Sequence, residues 1–230
     1  MRLARLFKFM RRTVARVDVL VFAFCIALFV TFGTLDREIS QYFYNAESGF
    51  FWADHRPVVW TYLIFADLQW AILIVLLGAL WFGRKLTDHH RRIRLRSSIL
   101  FLFVSLLLGP GLIVNELVKK QSGRIRPNDT VIFGGHLPEQ KTFDFSGSCR
   151  TNCSFVSGHA SLGFWFISLA WTLGQRRYFW LGLLLGCWVG FGRMLQGDHY
   201  LSDVVFAFWC VYGMNWLIAK YFRIQLPQNF

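Results

Sequence analysis

The sequence predicts an all-α fold, a polytopic bundle of six transmembrane helices with both termini cytoplasmic, and three observations predict it. Of the 230 residues, 55% are hydrophobic and only 17% charged, where a soluble domain carries about a quarter charged residues. The apolar residues gather into runs near the ~20-residue length that crosses a hydrocarbon core. The 25 Lys and Arg, which leave a formal net charge of +12, sit in short blocks between those runs. This composition excludes a disordered chain and argues against an ordinary cytosolic enzyme. A nucleic-acid binder would line one solvated face with its cations. The blocked pattern makes the bilayer the expected partner and nucleic acid not one. The length suits a single integral-membrane domain over residues 1–230.

The runs are read in order. Val19 to Leu35 is charge-free. Pro57 to Gly83 follows, crossed by one acid expected to be buried, Asp67. Ser97 to Val114 is the third, and Ala160 to Gly174, Tyr178 to Gly192 and Val204 to Ala219 complete the six. The last three have the length of buried core helices, and their company argues for spans. Basic residues mark cytoplasmic loops. Arg2, Arg5, Lys8, Arg11, Arg12 and Arg16 precede the first run, a dense basic block fills 84–96, Arg176 and Arg177 separate runs four and five, and Lys220 and Arg223 follow run six. Segments 36–56, 115–159 and 193–203 are therefore expected to face outward. The first run resembles a signal peptide, but Asp36-Arg37-Glu38 follow it instead of a small-residue cleavage site, so it is read as an uncleaved span. Residues 84–96 read as a solvated loop. His89 and His90 lack nearby partners for a metal.

Of the five cysteines, Cys25, Cys187 and Cys210 lie in apolar runs and read as inert small hydrophobes. Cys149 and Cys153 lie in the long outward loop. An oxidising compartment favours a disulfide between them, and a reducing one leaves two free thiols.

The chemistry concentrates in three outward polar clusters: Lys119 to Pro127, Ser154 to His159, and Gly192 to Asp203. Lys119, Arg126 and Arg193 are fixed cations, and guanidinium is the planar donor suited to phosphate oxygens. Ser157 and Gly158 open a helix, whose free N–H groups and dipole favour an anion. His199 and Asp203, four apart, share a helix face. A carboxylate there fixes the imidazole tautomer and leaves the other nitrogen free to attack. His159, from another helix, is placed to protonate a leaving oxygen. Each residue alone has a plainer explanation. Lys and Arg anchor helices at membrane edges, a helix-end His is commonly satisfied by its neighbours, and Asp203 suits an N-cap. Three clusters on one side, supplying complementary parts of one reaction, are harder to explain so.

Lys119 with six residues before Arg126-Pro127, then Ser157-Gly158-His159, then Arg193 with five residues before His199 and three before Asp203, resembles the three-part signature of the type 2 phosphatidic acid phosphatase superfamily, which also includes the vanadium haloperoxidases. The resemblance covers residues 119–203. It departs at Val156, where the family usually has proline, and at Gly192, where it usually has serine; the second removes a hydroxyl expected to contact phosphate. The resemblance implies a metal-independent, cofactor-free phosphatase. His199 would become a phosphohistidine, Asp203 would orient it, and His159 would act as general acid. Lys119, Arg126, Ser157, Gly158 and Arg193 would hold the phosphoryl oxygens.

A site at the bilayer edge suits a lipid phosphate. The loop over 131–153 has the length of a lid or recognition surface. The aromatic stretch Ser40 to Trp52 reads either as an amphipathic interfacial piece or as a belt anchor. The sequence around Cys149, Cys153 and Phe155 to His159 resembles bacterial members acting on lipid A. The candidate substrates are lipid A phosphate, undecaprenyl pyrophosphate and phosphatidylglycerol phosphate, at the periplasmic face of the inner membrane, and the sequence does not choose among them. A lipid-to-lipid phosphotransferase would use the same intermediate. An anion transporter would use the same cations together with Asp67, but it has no need of the His199–Asp203 pair, and no inverted repeat is present. A catalytically dead scaffold conflicts with the full set of reactive groups, and a haloperoxidase-like enzyme with the membrane spans.

Overall fold

The computed structural model describes residues 17–85 and 87–224. The basic residues expected to hold the N-terminus in the cytoplasm, Arg2 to Arg16, lie outside the described residues. Helix α1 (Val17–Thr31) is apolar, bends by 78° and continues as the short α2 (Leu35–Gln41). A two-residue hairpin follows, β1 (Tyr44–Asn45) antiparallel to β2 (Gly49–Phe50), with Tyr44 opposite Phe50. Helix α3 (Arg56–Gly83) has 28 residues, starts with proline in its first turn and is apolar throughout. At 1.5 Å per residue it is about 42 Å long, ample for a crossing.

Helix α4 (His89–Leu106) starts at Asp88, whose carboxylate accepts from the backbone N–H groups of His90 (2.9 Å) and Arg91 (3.1 Å). The expected solvated loop over 84–96 is thus largely the first turns of a helix. A capping acid and the good helix formers Arg and Leu suffice to start it there. The helix widens into π-type turns over Leu107–Val118 around Pro110, which has no N–H to give. Asn115 Nδ2 donates to the Pro110 carbonyl at 2.8 Å. This helical stretch then closes with α5 (Lys119–Ser122).

The expected fourth span is two short helices, α6 (Gly158–Trp165) and α7 (Ser168–Leu173). Its apolar character comes from burial by protein: Ala160, Ile167 and Ala170 are wholly buried, and Phe164, Trp165 and Trp171 nearly so. Helix α8 (Arg176–Leu195) packs onto it through small residues. A Cβ on Gly186 would lie 2.0 Å from the Phe164 ring, and one on Gly182 would lie 2.2 Å from the Ile167 backbone nitrogen. Gly182, Gly186 and Gly190 repeat every fourth residue, the spacing that lets membrane helices approach closely. Helix α9 (Leu201–Phe222) closes the bundle. Among the described residues, four helices are long and apolar enough to cross a membrane, or five if the bent α1–α2 pair is one span.

Asp67, expected to be a buried acid, is exposed. Leu76 is the only fully buried residue of helix α3; Phe65, Leu68, Ile72, Leu73, Ala79 and Leu80 pack half-buried against the core, and much of the remaining surface is exposed. The stretch Ser40 to Trp52 is mostly turns around a short hairpin. Phe50 of the hairpin packs with Phe133 and Tyr200.

Candidate active site

The three outward segments meet at one end of the bundle. Asn128 N–H donates to the Gly197 carbonyl (2.9 Å), Ser202 N–H to Asp36 (2.9 Å) and Ser157 N–H to the Asp203 carbonyl (3.1 Å). Asp203 stands in the first turn of α9, where its Oδ2 accepts from the Tyr200 N–H at 2.8 Å. The carboxylate therefore caps its own helix, as the plainer reading held. It also does more. Oδ2 lies 3.4 Å from His199 Nδ1 and accepts from the Ser154 hydroxyl, while Oδ1 accepts from Arg124 at 2.7 Å. Asp203 is fully buried and His199 is 1% exposed. With Nδ1–H donating to the carboxylate, Nε2 carries the lone pair. Burial pushes the His199 pKa down to about 4, against the upward pull of Asp203. The imidazole is neutral at pH 7 and competent as a nucleophile.

Arg193, in the last turn of α8, and Arg126, just past α5, both donate to Asp198, which holds the two guanidiniums together. Arg126 Nε also donates to the Asn152 carbonyl at 3.0 Å, and Lys119 Nζ to Asn152 Oδ1 at 3.1 Å. Asn152 lies inside the short loop closed by a Cys149–Cys153 disulfide, with Cα atoms 5.6 Å apart. The Tyr62 ring from α3 lies 4.5 Å from the Arg193 guanidinium and 5.0 Å from the His159 ring. Lys119 is near enough to Arg126, Arg193, Asp198 and Asp203 to feel their charges. Three cations thus cluster beside Asp198 and Asp203, with Arg124 countering the charge of Asp203, and the positive excess favours a dianion.

Ser157 is the N-cap of α6, its hydroxyl accepting from Ala160 N–H at 3.4 Å. A Cβ on Gly158 would lie 2.7 Å from Asn115 Oδ1, so a side chain there would have to push the end of Asn115 aside. His159 follows in the first turn. Burial pushes its pKa down to about 3, aided by the charges of Arg193, His199, Lys119 and Arg126. The pocket accordingly favours neutral His159.

The eight residues expected at the site therefore share one locality: His199, Asp203, His159, Lys119, Arg126, Ser157, Gly158 and Arg193. Sequence reasoning missed Arg124, Asp36, Asp198, Ser154, Tyr62 and Asn152. Arg124 and Asp198 were visible as charges within the clusters, but nothing marked Asp36 or Tyr62, which come from helices outside the spaced pattern. Gly192 lines an apolar groove of about 200 Å³ with Trp52, Thr61, Trp188 and Leu195, and a Cβ on it would meet nothing within 4 Å. A polar cavity of about 310 Å³ opens beside Lys119 and Asn152. Among the described residues, no three His, Cys, Asp or Glu side chains gather where they could hold a metal ion.

Residues 98–226 match the family described as the PAP2 superfamily. The chain is 34% identical over 200 residues to the lipid A 4′-phosphatase of Francisella tularensis subsp. novicida, covering 83% of this chain and 87% of that protein. It is 42% identical over 104 residues to the lipid A 4′-phosphatase of Rhizobium leguminosarum, covering 44% of this chain and 45% of that one. The corresponding protein of Rhizobium etli is 41% identical over 103 residues, covering 44% and 40% of the two chains. No solved structure matches. The family match over more than half of the chain, with a relative similar along most of its length, makes this protein a member of the PAP2 superfamily.

Proposed function

We propose that this membrane lipid phosphatase removes the 4′-phosphate of lipid A at the periplasmic face of the bacterial inner membrane, through a phosphohistidine on His199. The observation that carries the mechanism is the neutral His199, backed by Asp203, in one pocket with Lys119, Arg126, Arg193 and the N-terminus of α6. In the first step His199 Nε2 attacks phosphorus and the P–O bond to the sugar breaks. His159, protonated once the dianion is bound, delivers its proton to the leaving oxygen. In the second step water attacks phosphorus, His159 takes a proton back, the P–N bond breaks and phosphate leaves. The three fixed cations and the α6 N–H groups supply the charge stabilisation that Mg²⁺ provides in other phosphoryl transfers.

The substrate assignment rests on the similarity to the Francisella protein. In this reading residues 1–230 act as one integral-membrane domain with six crossings and both termini cytoplasmic. Residues 19–35 make the first crossing and residues 160–174 the fourth, so that Asp36 and His159 stay at the outer edge. The apolar groove beside Gly192 reaches the α3–α8 surface, and the lipid tails enter there.

Purified protein is tested against lipid A, undecaprenyl pyrophosphate and phosphatidylglycerol phosphate in EDTA. Phosphate release from lipid A, lost in His199→Ala and accompanied by an acid-labile phosphoenzyme in the wild type, is the expected result. Full activity in His199→Ala would falsify the mechanism. Preference for another lipid would overturn the substrate. Phosphate appearing on an added lipid acceptor instead of in water would mark a phosphotransferase.

A further inference from the structure

Behind Asp203 lies a second buried ion pair. Arg124 is 2% exposed, and it bridges two carboxylates: one nitrogen is 2.7 Å from Asp203 Oδ1, the other 2.8 Å from Asp36 Oδ2. Its guanidinium stacks 4.1 Å from the centre of the Tyr200 ring, and it also donates to the Ser202 hydroxyl at 2.7 Å. Asp36 is 4% exposed. It accepts from the Ser202 backbone N–H and hydroxyl and from the Thr142 hydroxyl (2.7 Å). Four chain segments meet in this network: the bent N-terminal pair, the turn after α5, the 131–153 loop and the start of α9. A buried charge with this many fitted partners is costly to assemble, and helix capping alone would not need it.

From this geometry we infer that Arg124 and Asp36 are positioning residues that set the basicity of His199 through Asp203. The inference rests on His199 being the nucleophile. Arg124 neutralises part of the Asp203 charge and fixes its orientation. Asp36 in turn takes up part of the Arg124 charge. An unshielded Asp203 would bind a proton on His199 more tightly and make it a poorer leaving group from phosphorus. An unshared Arg124 would withdraw Asp203 and weaken the attack. His199 also faces the charges of Lys119 and Arg193, with His159, Arg126 and Asp198 completing the pocket. These groups are the same in every variant below.

The test compares acid limbs of kcat/KM, measured on the full chain in detergent micelles with lipid A as probe. Arg124→Gln leaves Asp203 unshielded and moves the limb up, on the order of one pH unit. Asp36→Asn leaves Arg124 unshared and moves it down. The double variant lies near the wild type in limb position. Arg124→Lys keeps the charge and therefore the limb, while losing about tenfold or more in kcat, because an ammonium cannot make both contacts in the guanidinium's fixed fork. The substrate's own ionisation is common to all, so differences between variants belong to the enzyme.

Shifts of opposite sign support the inference. Equal losses of rate with unmoved limbs, or shifts of one sign, mean a merely structural network and overturn it. If Arg124→Gln does not fold, the direction of the Asp36→Asn shift decides alone: down supports, unchanged or up overturns. His199→Ala, run in parallel, separates the two readings. Activity there removes the nucleophile, whereas an inactive His199→Ala with unmoved limbs removes only the positioning role.

Discussion

His199 is the proposed nucleophile, and its buried surroundings bias it toward the neutral form. Replacing it by Ala is expected to lower phosphate release about 10³-fold or more, while replacing Arg126 or Arg193 costs about 10²–10³-fold. The buried imidazoles also link pH to stability. Both folded pKa values, about 4 for His199 and about 3 for His159, lie below the ordinary 6.5. The unfolded chain therefore binds more protons between those values. The stability they contribute is present above pH 6.5 and is lost as pH falls towards 4, with a slope of about 1.4 kcal/mol per pH unit for each group. Thermal melting in micelles across that window checks the sign. A bound dianion works against that bias on His159, because it offsets two of the three positive charges and can accept a hydrogen bond from the ring. Binding of vanadate at pH 7 is thus expected to take up a proton, read by calorimetry in buffers of different ionisation enthalpy. No buffer dependence would argue against His159 as the acid. Gly192 has room for a side chain. Gly192→Ser should fold at least as stably, gaining about 0.5 kcal/mol of helix propensity, and melting curves test this.

At the element scale, α6 carries Ser157, Gly158 and His159 only as well as α8 holds it. A side chain on Gly186 must displace the buried Phe164 ring. Gly186→Leu is expected to cost about 3 kcal/mol or more and to lower activity together with melting temperature, since His159 rides on the displaced helix. The disulfide loop acts on a different step. It holds Asn152 against Lys119 and Arg126, so Cys149→Ser with Cys153→Ser should raise KM several-fold while kcat changes less. A drop in kcat at constant KM would place the loop in the chemistry instead.

At the scale of the whole molecule, among the described residues, the motif-bearing segments lie at the ends of α5 and α8 and the starts of α6 and α9, while Arg91, Arg92, Arg176, Arg177 and Lys220 lie at the opposite ends of their helices. A single cysteine at Arg150, in a background without the native cysteines, is expected to react with an impermeant maleimide from the periplasmic side. One at Arg91 is expected to be shielded in intact cells. The reverse labelling would invert the proposed orientation. The bundle also explains why a charge-poor chain tolerates a charged interior. Asp36, Arg124 and Asp203 are buried by protein rather than lipid, and each finds a partner there.

The amino-acid sequence by itself determined the helical class and the apolar elements α3, α8 and α9 to within a few residues, and it named eight residues that the fold brings into one locality. Hydrophobic run length and charge blocks are local signals, and the motif spacings are written along the chain. Only the tertiary structure decided the rest. Residues 160–174 are as apolar as a span, but helix length and burial by neighbours, which no run of letters encodes, make them a broken central helix. Asp67 is exposed because α3 turns much of its surface outward. Asp36 and Arg124 are 88 residues apart and become one buried pair only when the bent N-terminus folds over the start of α9. An ion pair at that separation is a property of packing, where the loss of water around two charges is repaid by a partner brought from elsewhere in the chain.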